Sequence, residues 1–197
     1  FTQEDYGILA LVTIYGLFAS GLANFGMTAA FERNYFQYRD DKVKTSQLIY
    51  STVLFTSSLF TVLALITFFF KSQIAVFITG EASHGMILFW AFCAYYFYNI
   101  AFQYFLIYYK NAGQAKHYSA FKILNRFSSF ILSMLFVVVW EYGILGIIYS
   151  QLLSGFLVYS ILIIIFLQKY KPTLCWEVFK ESIKISYPLT PRIFIGV

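Results

Sequence analysis

The sequence predicts an all-α protein, a bundle of polytopic transmembrane helices, on three observations. Of its 197 residues, 60% are hydrophobic and only 12% are charged, about half the charged share of an ordinary soluble domain. The mean hydropathy is +0.70. The charges also cluster, leaving four windows with no Asp, Glu, Lys or Arg: Tyr6 to Phe31, Thr45 to Phe70, Ala82 to Tyr109 and Tyr142 to Gln168. Each exceeds the roughly 18 apolar residues that mark a spanning helix.

The first window predicts a span carrying a strip of small residues, Gly16, Ser20, Ala23 and Ala30, which favours close helix contact. The second, Thr45 to Phe70, is a plain apolar span. The third, Ala82 to Tyr109, places Asn99 and Gln103 one helical turn apart near the middle of "FYNIAFQYF". These amides suit either a polar cavity lining or a hydrogen bond between helices. The neighbouring Tyr95, Tyr96, Tyr98, Tyr104, Tyr108 and Tyr109 suit stacking on sugar rings, ordinary packing or an aromatic belt.

The next span is harder to define. Between Arg126 and Glu141 lie fourteen residues without a charge, about 21 Å of helix against roughly 30 Å of hydrocarbon. A span of normal length, Ser119 to Trp140, requires Lys122 and Arg126 to lie within it, with Arg126 about 10 Å inside by helix rise. Lys122, Asn125 and Arg126 then share one region of helix surface. A charge at such depth must face the bundle interior or water, unless the helix tilts and Arg126 stretches back to the phosphates. Tyr142 to Gln168 supplies the fifth span. A sixth begins near Ile183, loosened by Pro188 and Pro191, and carries Arg192 at depth.

The connectors are short and divide the chain into a bundle over residues 1–170, a linker over 171–182 and the start of a further span over 183–197. In the linker, Leu174, Val178 and Ile183 oppose Glu177, Lys180, Glu181 and Lys184, the pattern of a helix lying in the membrane interface, with a solvated linker as the alternative. "FTQEDYG" shows neither an initiator Met nor a signal-peptide pattern, and "RIFIGV" stops within an apolar run. Both are expected of a piece of a longer chain. One weak internal echo relates "DYGILAL" to "EYGILGI".

Lys and Arg are distributed 0, 4, 1, 3, 0 and 4 over successive connectors. That alternation follows the positive-inside rule and predicts a multi-pass protein of the cell (inner) membrane with its basic connectors cytoplasmic. It also explains the net charge of +5 without nucleic acid. Cys93, Cys175, His84 and His117 stand apart with no metal or CxxC spacing, so no metal site, cofactor or redox chemistry is predicted.

The cations at depth predict a net-positive, water-accessible interior formed by Arg126, Arg192 and Lys122, with Arg33 at a helix mouth and Asn99, Gln103 and Asn125 as polar lining. The planar guanidinium fork suits phosphate oxygens, so an anionic, phosphorylated substrate is expected.

Four stretches in order resemble the polysaccharide flippases, the O-antigen-type members of the multidrug/oligosaccharidyl-lipid/polysaccharide exporter superfamily: "EDYGILAL", "TAAFERNYFQY", "YYKNAGQAKHYSAFKILNRF" and "SIKISYPLTPR". The resemblance implies twelve or more helices in two bundles, with this chain holding most of the first half. It implies a transporter rather than an enzyme, with a polyprenyl-pyrophosphate-linked oligosaccharide moved between leaflets by alternating access. Membrane lipids and other polysaccharide-assembly proteins are the expected partners. By position, Arg33 matches the family's helix-exit basic residue, Lys110 stands where Arg is more usual, and Arg192 matches no family pattern. A drug/cation antiporter of the same superfamily remains an alternative, but it calls for a buried carboxylate that these spans do not offer. A membrane polysaccharide polymerase or acyltransferase calls for a larger outer loop or a catalytic His/Asp pair.

Overall fold

A computed structural model describes residues 2–189, and every regular element among them is helical. Five helices are long and apolar enough to cross a membrane: Gln3–Asn24, Lys42–Phe69, Ala82–Asn111, Ala115–Val139 and Gly143–Lys169. The chain is a multi-pass membrane protein.

Local chemistry sets where these helices start and stop. Helix α1 (Gln3–Asn24) opens on a capping box: the Asp5 amide donates to Thr2 Oγ1 (3.2 Å) and the Thr2 amide donates to the Asp5 carboxylate (2.7 Å). The chain then breaks. Phe25 and Gly26 both adopt left-handed backbone, φ 50° and 69°, before α2 (Met27–Tyr38) restarts. The apolar window from Tyr6 to Phe31 is therefore not one span, as expected, but a spanning helix and part of a second helix. Hydropathy is blind to this break, which Gly26 permits because it has no Cβ. Asn24 Nδ2 donates to Thr28 Oγ1 across the gap (2.8 Å).

Helix α3 (Lys42–Phe69) is capped by Asp41, which accepts from the amides of Val43 and Lys44. The short α4 (Lys71–Thr79) leads to α5 (Gly85–Ile100), which runs through a π-helical turn, Ala101–Phe105, into α6 (Leu106–Asn111). After a turn, α7 (Ala115–Met134) ends in a second π-helical turn, Leu135–Val139, and α8 (Gly143–Lys169) follows.

Helix α5 packs on both α1 and α8, and α8 packs on α7, so these four form an arc. Helix α3 braces α1 and α5. Gly16 is buried where α1 meets α5. A Cβ there would lie 2.5 Å from Tyr95 Cδ2, so only glycine permits the approach. Ser20, Ala23 and Ala30 of the same small-residue strip are buried as well.

The largest apolar core lies at the end of the bundle that carries the basic connectors. It joins Phe31 and Tyr35 of α2 to Leu48 and Ile49 of α3, Tyr108 of α6 and Phe166 of α8. Outward faces of the spans stay apolar and exposed, for instance Leu54, Val62, Phe127, Phe130 and Ile164, as lipid-facing surfaces do.

Helix α9 (Trp176–Ser186) takes up most of the expected interfacial helix, but Leu174 precedes it and is exposed. Its buried residues are Val178, Ser182 and Ser186, turned onto α2 and α3. Asn34 Nδ2 donates to Ser182 Oγ (3.0 Å), with both side chains fully buried. The Tyr38 hydroxyl donates to Glu181. The preceding linker is fastened to α3: Ser46 Oγ donates to the Lys171 carbonyl (2.5 Å), Tyr50 to the Tyr170 carbonyl (3.0 Å), and the Cys175 amide to Ser51 Oγ (3.3 Å).

Candidate functional site

The arc of helices leaves a groove between α1 and α7, floored by α5 and α8. A cavity of about 330 Å³ occupies it, lined by Leu17 from α1, Ala94, Tyr95 and Tyr98 from α5, Asn125, Arg126 and Ser129 from α7, and Gln151 and Ser154 from α8. Four helices thus contribute, and the lining mixes hydroxyls, amides and ring faces around one guanidinium.

Arg126 lies deep. Within the span Ala115–Val139 it is eleven residues from one end and thirteen from the other, about 16 and 20 Å by helix rise. Among the described residues no carboxylate lies within ion-pair distance of Arg126, and no acidic residue lines the cavity. In a membrane such a cation is tolerated where water, a ligand or a lipid phosphate reached by snorkelling meets it.

Asn125 is 5% exposed, and its Oδ1 is buried without a hydrogen-bond partner among the described residues. A buried acceptor left unpaired costs roughly 1–3 kcal/mol, so it marks a place where a donor is wanted. Tyr98 stacks on Phe102, ring centroids 4.3 Å apart, which holds its ring at the cavity wall. Ser154 is buried and donates to the Gln151 carbonyl (3.1 Å), keeping it close to its own helix backbone.

The other sequence candidates lie elsewhere. Lys122 is exposed, its Nζ 4.6 Å from the Tyr118 ring centroid, and shares with Arg126 a shallow groove lined by Ile123, Phe127 and Phe130. Arg33 is exposed on α2, away from the residues that line the cavity. Asn99 donates to the Tyr95 carbonyl (2.9 Å), and Gln103 donates weakly to Asn99 (3.5 Å), so these amides pair along their own helix instead of lining the cavity. Arg192 and Pro191 lie outside the described residues. Of the tyrosines, Tyr95 and Tyr98 reach the cavity, whereas Tyr104, Tyr108 and Tyr109 are buried in the core. Sequence reasoning missed Ser129, Gln151 and Ser154. The signal for Gln151 was present, an amide in the middle of a charge-free span.

A second polar group sits at the break between α1 and α2. The Tyr104 hydroxyl, carried by the π-helical turn, donates to Asn24 Oδ1 (2.7 Å) and lies 2.7 Å from Thr56 Oγ1. These groups satisfy one another and tie α1, α3 and α5 together.

Comparison with known proteins adds one finding. A family model described as "polysaccharide biosynthesis protein" matches residues 1–196. The chain belongs to the polysaccharide biosynthesis protein family. No curated protein and no solved structure matches it. For a member of the polysaccharide biosynthesis protein family, a role in polysaccharide synthesis or export follows.

Proposed function

We propose that this polysaccharide biosynthesis protein is a flippase for polyprenyl-pyrophosphate-linked oligosaccharide, moving it from the cytoplasmic to the outer leaflet of the cell membrane by alternating access. The observation that carries the reading is Arg126, a guanidinium near the middle of a span-length helix with no carboxylate within ion-pair distance among the described residues, at the wall of a cavity of hydroxyls and amides. A site of this make-up receives an anionic, hydroxyl-rich molecule. The lipid tail stays in the bilayer while the polar head passes the cavity, and the protein forms no covalent bond to it. The same reading makes residues 1–170 most of the first of two helical bundles, residues 171–182 a linker on the cytoplasmic face, and residues 183–197 the start of the second bundle. It also makes the basic connectors cytoplasmic and other polysaccharide-assembly proteins the natural partners. Among the described residues no acidic side chain lines the cavity, which argues against a drug/cation antiporter, whose cargo needs a buried carboxylate.

The test uses the full chain in proteoliposomes. The readout is the rate at which a fluorescent polyprenyl-pyrophosphoryl oligosaccharide becomes accessible on the opposite leaflet. Wild type transports, and Arg126→Ala at matched reconstitution is slower by about tenfold or more, the loss of one charge-assisted contact. A wild type that transports none of it overturns the proposal.

A further inference from the structure

A cleft between α3 and α9 plays no part in the flippase reading. We propose that it holds one phospholipid of the surrounding membrane as a resident of the fold, with an acyl chain in the cleft and the phosphate at the level of Lys171.

The lining is apolar from two directions. Leu54 and Phe55 of α3 face Leu174, Trp176 and Phe179 of the linker and α9 around about 470 Å³. A row of rings joins the walls: Trp176 is 5.1 Å from Phe179, and Phe179 is 5.0 Å from Phe55, centroid to centroid. Two hydroxyls also line the cleft, and both are bonded within the protein. Ser51 Oγ accepts from the Cys175 amide (3.3 Å), and Ser58 Oγ donates to the Leu54 carbonyl (2.9 Å). A sugar or phosphate placed here forfeits its hydrogen bonds to water with little in return.

Depth selects the occupant. The charge-free window Thr45 to Phe70 is about 39 Å of helix, so a hydrocarbon layer of roughly 30 Å placed anywhere within it contains Ser51 to Ser58. At that depth the cleft receives a lipid chain or a helix of another protein. Spread over the roughly 10 Å of helix rise from Ser51 to Ser58, its volume of about 470 Å³ is a slot of about 45 Å² in section, little more than half of what a helix about 10 Å across fills. The cleft is also continuous, through Leu54, with the exposed apolar face of α3 that carries Val62 and Leu65. Neither α3 nor α9 lines the α1–α7 cavity, so the chain belongs to a lipid of the surrounding leaflet and not to the cargo.

The bonds that seat the linker also place the head. Ser46 Oγ holds the Lys171 carbonyl, and Ser46 is five residues, about 8 Å of helix, from Ser51 toward the basic end. A chain that enters beside Ser51 therefore presents its phosphate near the exposed Lys171. Trp176 is exposed at the rim, as aromatic rings at the boundary between hydrocarbon and headgroups are.

In the experiment the full chain is extracted in mild detergent from membranes of defined phospholipids. Native mass spectrometry counts the retained lipid, which is then released and identified. Wild type keeps one phospholipid per chain. Ser58→Phe, at an exposed position, puts a ring into the cleft and lowers occupancy about tenfold or more, the effect of displacing two or more methylenes. Leu54→Trp fills the cleft from another position on α3 and gives the same loss if Ser58→Phe fails to insert. Leu65→Phe, exposed on α3 but outside the lining, keeps the lipid. The proposal is overturned by a wild type that retains no lipid, by equal retention in the filling variants and Leu65→Phe, by a polyprenyl lipid in place of the phospholipid, or by a protein or second copy bound at the cleft instead. Each of these outcomes leaves the flippase reading standing, since the transport assay alone decides that.

Discussion

Replacing Ser182 by alanine loosens α9 selectively, and the size of the effect follows from two buried atoms. Asn34 Nδ2 donates to Ser182 Oγ at 3.0 Å, both residues are 0% exposed, and Asn34 Oδ1 has no partner among the described residues. Ser182→Ala therefore strands the amide at both ends. The cost is about 1–3 kcal/mol for the lost bond, less about 0.4 kcal/mol from the better helix propensity of alanine. Ser182 Oγ also donates to the Val178 carbonyl (2.9 Å), but that carbonyl keeps its place in the helix. A net loss of roughly 0.6–2.6 kcal/mol opens α9 about 3- to 80-fold more often. Hydrogen exchange of the amides of residues 179–186, measured on the full chain in lipid nanodiscs, reads this directly as faster exchange with the spanning helices unchanged. Adding Asn34→Leu removes the stranded amide and returns most of the protection. Unchanged exchange in Ser182→Ala, or a double variant as open as the single one, refutes the reasoning.

Gly16→Ala sets a methyl 2.5 Å from Tyr95 Cδ2, which costs about 1–3 kcal/mol by overpacking and swings the ring toward the cavity; the melting temperature falls, and Tyr95→Ala in the same chain restores it. Burial, followed by the Glu181 carboxylate, pushes the Tyr38 hydroxyl up to about 12. An unfolded tyrosine loses its proton near 10, so this contribution to stability is full below pH 10 and is lost as pH rises toward 12. Tyr38→Phe makes the alkaline fall in melting temperature shallower, though not flat, because burial raises Tyr35 and Tyr170 as well. The Lys110–Glu32 ion pair is short, 2.8 Å, but exposed, so Glu32→Gln changes stability by less than about 1 kcal/mol. With Cys93 and Cys175 replaced, single cysteines at the exposed positions Lys116 and Glu81 react with a membrane-impermeant maleimide from opposite faces of the vesicle.

The spans were legible because lipid demands long charge-free runs, and those runs survive without any knowledge of tertiary contacts. The break at Phe25–Gly26 was not, since an apolar count carries no information about φ; the lone glycine in "NFGMT" was the available sign. Arg126 stood out as a charge out of place. Its companions Gln151 and Ser154 did not, because their meeting with Arg126 depends on how α8 is rotated against α5 and α7. Asn99 and Gln103 drew attention by the same polarity, yet the structure pairs them along one helix. Arg33 was expected at a helix exit, but the break at Phe25–Gly26 starts α2 anew, and Arg33 lies in the middle of that helix (Met27–Tyr38), exposed. The face of α9 was visible in the spacing of Val178 and Ile183, whereas the hydrogen bonds that seat it link positions more than a hundred residues apart.

Those hydrogen bonds decide where the chain is stiff. A segment joining one group of helices to whatever follows is ordinarily a slack tether that absorbs relative motion. Here Ser46, Tyr50 and Ser51 rivet residues 170–175 to α3, and Asn34 and Tyr38 rivet α9 to α2. A torque applied beyond Ser186 is delivered to α2 and α3 as though α9 were a welded lever arm. The α-helical ladder of that arm ends at Ser186, and the single 3₁₀ turn Tyr187–Leu189 beyond it contains Pro188, which has no amide to donate.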